Sequence, residues 1–376
     1  MKKTKLKGLI AYLNIGHGFK SPAVAFEKAF AATSAEVKSV DLFAEAGAKK
    51  ADSFLKKTWQ FCLRHPFWFE IIFALNDSPL VHFLQRRQGK SIKKKLLAYI
   101  DKEDPDFILC THFTALEALT TVLKKERPDI KIFGYNSDVI LSHEAYVNLD
   151  VLQYYVATKS GYEEMINGRM PKELVTLTSF PLHDKFYKEF GTIKQEREKL
   201  GLKDKFTLLL TFGGEGIGPV DLLMKITKLN LGIQVVAVCG RNEALKNELE
   251  KLKKSFPEFD LVPLGFITNM QDYLYTCDIS AGKSGLNMVF ESIYLHKPFL
   301  TLMAMANERF AAKFVVDHGY GWFPKDQNQI LEIIASAAND PEYLKPYIKQ
   351  LENHPFKFNS ADTVASVLQF MEEDHA

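Results

Sequence analysis

Short, unbroken runs of Leu, Ile and Val recur along the whole chain, each followed by a longer stretch of helical periodicity. In the first half these runs fall at Leu6–Leu13, Val37–Leu42, Phe107–Thr111, Ile130–Tyr135 and Tyr154–Ala157. In the second half they fall at Thr207–Phe212, Val235–Cys239, Leu261–Leu264, Ile279–Ala281 and Pro298–Leu302. A strand that alternates polar and apolar residues has one wet face. A continuously apolar strand is covered on both faces, as in a parallel sheet. Amphipathic patterns at Pro22–Ala32, Ala115–Lys124, Glu243–Ser255 and Leu286–Leu295 supply the covering helices. This alternation predicts an α/β protein of two doubly wound domains facing across a cleft, with ligand at the carboxyl ends of the strands.

Length supports the division, because 376 residues exceed the roughly 150 of an ordinary domain. The charged stretch Lys185–Lys205 shows no strand pattern and reads as the linker. The expected boundaries are 1–190, 191–345, and a terminal helical segment, 346–376, that returns towards the first domain. A net charge of +2 and an ordinary apolar content exclude a disordered chain and give no global electrostatic case for nucleic acid. The four cysteines are scattered; Cys110 and Cys239 end apolar runs and read as buried, reduced thiols, which fits a cytoplasmic protein. The apolar run after the basic N-terminus is too short for a signal peptide, and no run reaches the about 18 residues of a spanning helix.

One segment departs from the alternation. Phe54–Ile100 interleaves Trp59, Phe61, Phe67, Trp68, Phe69, Phe73 and Phe83 with Lys56, Lys57, Arg64, Arg86, Arg87, Lys90 and Lys93–Lys95. Such a mixture suits the inner, anionic face of a membrane, where aromatic rings insert shallowly and cations meet headgroups. An inserted helical pair with an ordinary core face has the same composition.

Four strand-to-helix turns carry the chemistry. The run Gly213-Gly214-Glu215-Gly216-Ile217-Gly218-Pro219 follows a strand and opens a helix, where close backbone approach and free amides favour a diphosphate. The next strand ends in Cys239-Gly240-Arg241-Asn242, and Arg241 there suits phosphate better than a ribose diol. Gly265-Phe266-Ile267-Thr268-Asn269-Met270 follows another strand and can present an apolar residue to a flat base; Thr268 with Gln271 has the spacing of a capping box. Lys283-Ser284-Gly285 ends a fourth strand, and Glu291 sits in the apolar helix after it, where an ionised carboxylate needs a partner.

In order and spacing these motifs resemble the monogalactosyldiacylglycerol synthase and processive diacylglycerol glucosyltransferase family, of GT-B fold, related to the N-acetylglucosaminyltransferase that makes lipid II. The resemblance implies an inverting transferase with a UDP-sugar donor, a lipid acceptor such as diacylglycerol, and no cofactor or metal. It implies that Gly213, Gly214, Glu215, Gly216 and Gly218, with Arg241, Asn242 and Thr268, lie on the donor side, Ser284 and Gly285 with them. Phe266 and Ile267 would hold the uracil, Glu291 the ribose, and Asn307-Glu308 the sugar hydroxyls. On the acceptor side it points to Gly16, Gly18, His112 and His143. An inverting transferase needs a base for the acceptor hydroxyl; of His17, Asp138, His112 and His143, Asp138 supported by His17 is favoured. Two departures stand out, since Phe19 replaces the family's turn His and Ala311 its usual Asn.

Overall fold

In a computed structural model the chain divides into two compact units, 1–184 with 356–376, and 185–355. The structure describes residues 5–16, 18–167, 169–212 and 220–373. The first unit runs β1 (Lys7–Tyr12), α1 (Lys20–Phe30), β2 (Glu36–Asp41), α2 (Leu42–Glu45), α3 (Lys49–Arg64), α4 (Pro66–Leu75), α5 (Leu80–Glu103), β3 (Phe107–Cys110), α6 (Phe113–Glu126), β4 (Lys131–Tyr135), β5 (Gln153–Val156), α7 (Lys159–Ile166) and β6 (Val175–Leu177). The second holds α8 (Ile193–Lys199), β7 (Thr207–Thr211), α9 (Val220–Lys228), β8 (Gln234–Val238), α10 (Glu243–Ser255), β9 (Asp260–Leu264), α11 (Met270–Thr276), β10 (Ile279–Lys283), α12 (Leu286–Tyr294), β11 (Phe299–Met303), α13 (Arg309–Asp317), β12 (Gly321–Trp322), α14 (Gln327–Asn339) and α15 (Lys345–Glu352). The last helix, α16 (Ser360–Glu373), packs on α1 and belongs to the first unit.

Each sheet has six strands, ordered β2-β1-β3-β4-β5-β6 and β12-β11-β10-β7-β8-β9, with every pairing parallel. The central strands β3, β7 and β8 are buried at every position, as their unbroken apolar runs require. Strand order reverses direction between β1 and β3 in the first sheet and between β7 and β10 in the second. At such a switch point adjacent loops diverge to opposite faces and leave a crevice at the carboxyl ends. At the second switch point Gly282 is obligatory, because a Cβ there would lie 2.3 Å from Thr211 Oγ1.

Ten strands match the aliphatic runs to within two residues; the other two, β6 and β12, are short edge strands with no such run. The charged stretch Lys185–Lys205, read as the linker, contains no strand and holds the short helix α8, whose start is fixed by a capping box between Thr192 and Gln195. The Thr268–Gln271 capping box does not form: Asn269 is the N-cap of α11, without a side-chain bond. The segment Phe54–Ile100 is three helices rather than a pair.

Candidate active site

In the second unit the motif residues follow the carboxyl ends of five adjacent strands. The loop after β7, with Gly213, Gly214, Glu215, Gly216 and Gly218, lies outside the described residues. Beside it, β10 delivers Ser284, fully buried, and Gly285, the N-cap of α12, which offers no side chain to that helix's first amides. Ser284 Oγ donates to the Glu308 carbonyl at 3.1 Å, and Lys283 Nζ meets Glu308 Oε1 at 2.7 Å. Glu308 Oε2 accepts from the Met305 amide at 3.1 Å. These bonds fix the loops after β10 and β11 to each other. Asn307 Oδ1 is buried there without a hydrogen-bond partner.

One turn into α12, Glu291 has no ion-pair or hydrogen-bond partner among the described residues. The residue is half-buried, and burial pushes its pKa up to about 8. A carboxyl in that state is poised to accept hydroxyl donors.

On the other side of β7, Gly240 turns the chain at φ +60° after β8, and Arg241 follows. Its guanidinium stands 5.3 Å from the ring centroid of Phe266, which is 57% exposed after β9. Asn242 is engaged as the N-cap of α10, accepting from Leu245 N at 2.9 Å. Ile267 is half-buried, and Thr268 lends its carbonyl to Lys185 Nζ at 2.8 Å. Phe266 is therefore an open apolar platform backed by the Arg241 cation.

In the first unit the turn after β1 carries Gly16, at φ +75°, beside the Trp59 ring of α3. His17 lies outside the described residues. Gly18 follows, and Phe19 precedes α1, its carbonyl accepting from Thr111 Oγ1 at 2.8 Å. His112, at the end of β3, stacks on Phe19 with centroids 4.1 Å apart. It is the N-cap of α6: Nδ1 accepts from Thr114 N at 3.1 Å, so the proton sits on Nε2. Burial, then neighbouring His143, drives its pKa down to about 3, which makes it a hydrogen-bond donor rather than a base.

After β4, Asn136 Oδ1 accepts the Asp138 amide at 3.0 Å and its Nδ2 donates to Ser142 Oγ at 2.7 Å, shaping the loop. Asp138 Oδ2 accepts from the Tyr146 hydroxyl at 3.0 Å and lies 3.5 Å from His143 Nε2. His112 and His143 are joined through the Phe113 ring, with centroids at 4.7 and 5.2 Å, and His143 in turn meets Asp138. Tyr146 and Phe113 carried no sequence signal of their own; only a spacing of three and eight residues from His143 and Asp138 hinted at the first.

Residues 20–182 match the monogalactosyldiacylglycerol (MGDG) synthase family, and residues 220–360 match the glycosyltransferase family 28 C-terminal domain. The chain belongs to the MGDG synthase and diacylglycerol glucosyltransferase family. It is a glycosyltransferase. A probable chloroplastic monogalactosyldiacylglycerol synthase of Glycine max is 22% identical over 98% of this chain and 71% of its own length. A processive diacylglycerol beta-glucosyltransferase of Staphylococcus epidermidis is 26% identical over 67% of this chain and 64% of its own. Among solved structures, MurG of Acinetobacter baumannii superposes with TM-score 0.62 at 12% identity, covering 97% of this chain and 99% of that one. The Anabaena HepE protein in complex with UDP-glucose gives 0.57 at 14%, with coverages of 97% and 99%. A UDP-GlcNAc 2-epimerase of Neisseria meningitidis gives 0.59 at 14%, with 99% of each chain covered. The fold is thus GT-B, and fold alone does not separate transferase from epimerase; the family match does.

Within this family the two departures now have surroundings. Phe19 fills the turn position with a ring stacked on His112, and Ala311 is buried in α13.

Proposed function

We propose that this glycosyltransferase moves a hexose from a UDP-sugar to the free hydroxyl of a membrane lipid such as diacylglycerol, with inversion and without a metal. UDP-sugar is its donor substrate, and it has no resident cofactor. The diphosphate is met by the Gly213–Gly218 loop, the amides opening α12 and Arg241; Phe266 and Ile267 hold the base, Glu291 the ribose, and Asn307 and Glu308 the sugar. The acceptor oxygen bonds to the anomeric carbon as the bond to the diphosphate breaks. The electron pair leaves on UDP, and Asp138 takes the acceptor proton.

The observation that carries the lipid acceptor is α4. Glu70 is its one charged residue; Phe69 is buried, while Phe67 (70% exposed), Trp68 (51%), Ile71 and Leu75 face outward. With Phe54, Phe61, Leu80, Phe83 and Leu84, the three helices α3–α5 hold nine of the nineteen exposed large apolar side chains among the described residues. A patch of this kind supports shallow insertion into an interface. Exposed Lys57, Arg64 and Arg87 flank it, which favours an anionic, inner leaflet. The run Lys93–Lys95 lies about 15 Å further along α5 than Leu84; Lys93 pairs with Glu126 and Lys95 with the Gly47 carbonyl. The apolar face, not that run, is the docking element. Among the described residues no helix is long and apolar enough to cross a membrane, so association is peripheral in this reading.

The test is incubation with UDP-glucose or UDP-galactose and diacylglycerol liposomes, following UDP release and glycolipid. UDP release that ignores the lipid points to a soluble acceptor or hydrolysis. Binding of UDP without release makes the chain a nucleotide-sugar-binding protein.

A further inference from the structure

His143 stands in surroundings that packing alone does not account for. It is 2% exposed, and the rings of Tyr146, Phe113 and Phe73 enclose its imidazole at 4.6, 5.2 and 5.9 Å. Its Nδ1 is buried with no hydrogen-bond partner among the described residues. It faces the Asp138 carboxylate, whose Oδ2 is 3.5 Å from Nε2. Leaving a buried polar atom unmatched is unfavourable, and an apolar side chain would fill an aromatic box without that penalty.

We propose that His143 is a positioning residue for Asp138. The proposal rests on the role of Asp138 as acceptor base. The imidazole carries its proton on Nε2 and directs it at Oδ2, the oxygen that also accepts from the Tyr146 hydroxyl at 3.0 Å. Two donors on one oxygen fix the carboxylate plane. Oδ1, which has no partner among the described residues, is then aimed at the incoming hydroxyl and takes its proton. A separation of 3.5 Å is long for such a bond, and catalytic hydrogen bonds in ligand-free proteins commonly tighten on substrate binding.

The loop that bears His143 is itself held by the docking helices. Ala145 N donates to the Asn76 carbonyl at 2.8 Å and Glu144 N to Asp77 Oδ1 at 2.9 Å, both at the junction of α4 and α5. Phe73, which closes the box, is on α4 itself. The helix offering its outer face to lipid therefore keeps His143 in place with its inner face.

The experiment compares full-length His143→Leu, His143→Gln and Tyr146→Phe with the parent in the liposome assay. Glutamine restores an N–H near the Nε2 position, whereas leucine keeps only the apolar volume. The expected result is a kcat about 10- to 100-fold lower for His143→Leu and Tyr146→Phe, recovery to within about fivefold in His143→Gln, and UDP-sugar KM unchanged. Equal kcat in His143→Leu and the parent overturns the proposal. So does equal loss in the leucine and glutamine variants, which marks a packing role. The 15N spectrum of His143 supplies a readout independent of turnover: the Nε2-protonated tautomer supports the contact with Asp138, and the Nδ1-protonated tautomer overturns it. A parent that forms no glycolipid while showing the Nε2 tautomer refutes the lipid-transfer reading and leaves the Asp138 contact supported.

Discussion

Replacing Glu291 with glutamine removes one titrating proton from the donor site and leaves its shape nearly unchanged. In the ligand-free protein, burial raises the Glu291 pKa from 4.5 to about 8. A raised folded pKa means that stability is fully present below the unfolded value and is lost as pH climbs through the folded one. The displacement amounts to at most about 5 kcal/mol, and the partial exposure of the side chain reduces it. The parent should therefore lose stability as pH climbs from about 4.5 to about 8 and level off above that, whereas Glu291→Gln should lack this decline and melt above the parent at pH 8–9. If ribose hydroxyls donate to this carboxyl, UDP binding favours the ionised form and releases a proton. At pH 8, where the terminal phosphate of UDP is already ionised, release is about 0.5 protons per site. UDP affinity should rise about fourfold from pH 7.5 to 9 in the parent and stay flat in the variant. Above pH 8 the variant should bind more weakly by about 1.5–3 kcal/mol. Calorimetry in two buffers of different ionisation enthalpy measures proton release and affinity together. Parent binding without proton release, joined to unchanged affinity in a folded Glu291→Gln, would refute the reasoning.

Asp138→Asn should lower kcat about 100- to 10,000-fold with UDP-sugar KM unchanged in initial-rate assays; wild-type turnover excludes it as the base. Phe67, Trp68 and Ile71 changed together to serine should lose sedimentation with anionic vesicles and keep calorimetric UDP binding. Arg64→Glu with Arg87→Glu should weaken vesicle binding by about 1 kcal/mol per residue neutralised, in a salt-sensitive way, and more than Lys93–Lys95→Glu does; the opposite order returns the docking role to the lysine run. Activity should survive a chelator, since amides and Arg241 are assigned to the diphosphate; abolition by chelator with rescue by magnesium or manganese would contradict this.

Much of the fold was legible because its determinants are local. A run such as Thr207–Thr211 can be covered on both faces only inside a parallel sheet, and turns bearing Gly240, Ser284 or Gly285 declare their strand ends. The misses have the same origin. Edge strands such as β6 and β12 pair on one side only and need no aliphatic run. Likewise, Thr268 had the spacing of a cap, but the helix starts one turn position later, at Met270, because only backbone geometry decides which residue leaves the helix.

Side-chain partnership is the part that lay beyond periodicity. The sequence by itself determined two doubly wound sheets, the glycine turns at their strand ends and the family to which the chain belongs. Only the tertiary structure decided that Glu291 has no ion-pair partner among the described residues, that Lys283 pairs with Glu308, and that Asp138 shares its oxygen with Tyr146 and His143. It also decided that α4 presents aromatic rings on both sides, where composition allowed either a core face or a surface one. The physical reason is range. Helix and strand preferences are set by neighbours within a few residues, whereas a charge or ring finds its partner across the sheet, at separations that no local pattern records.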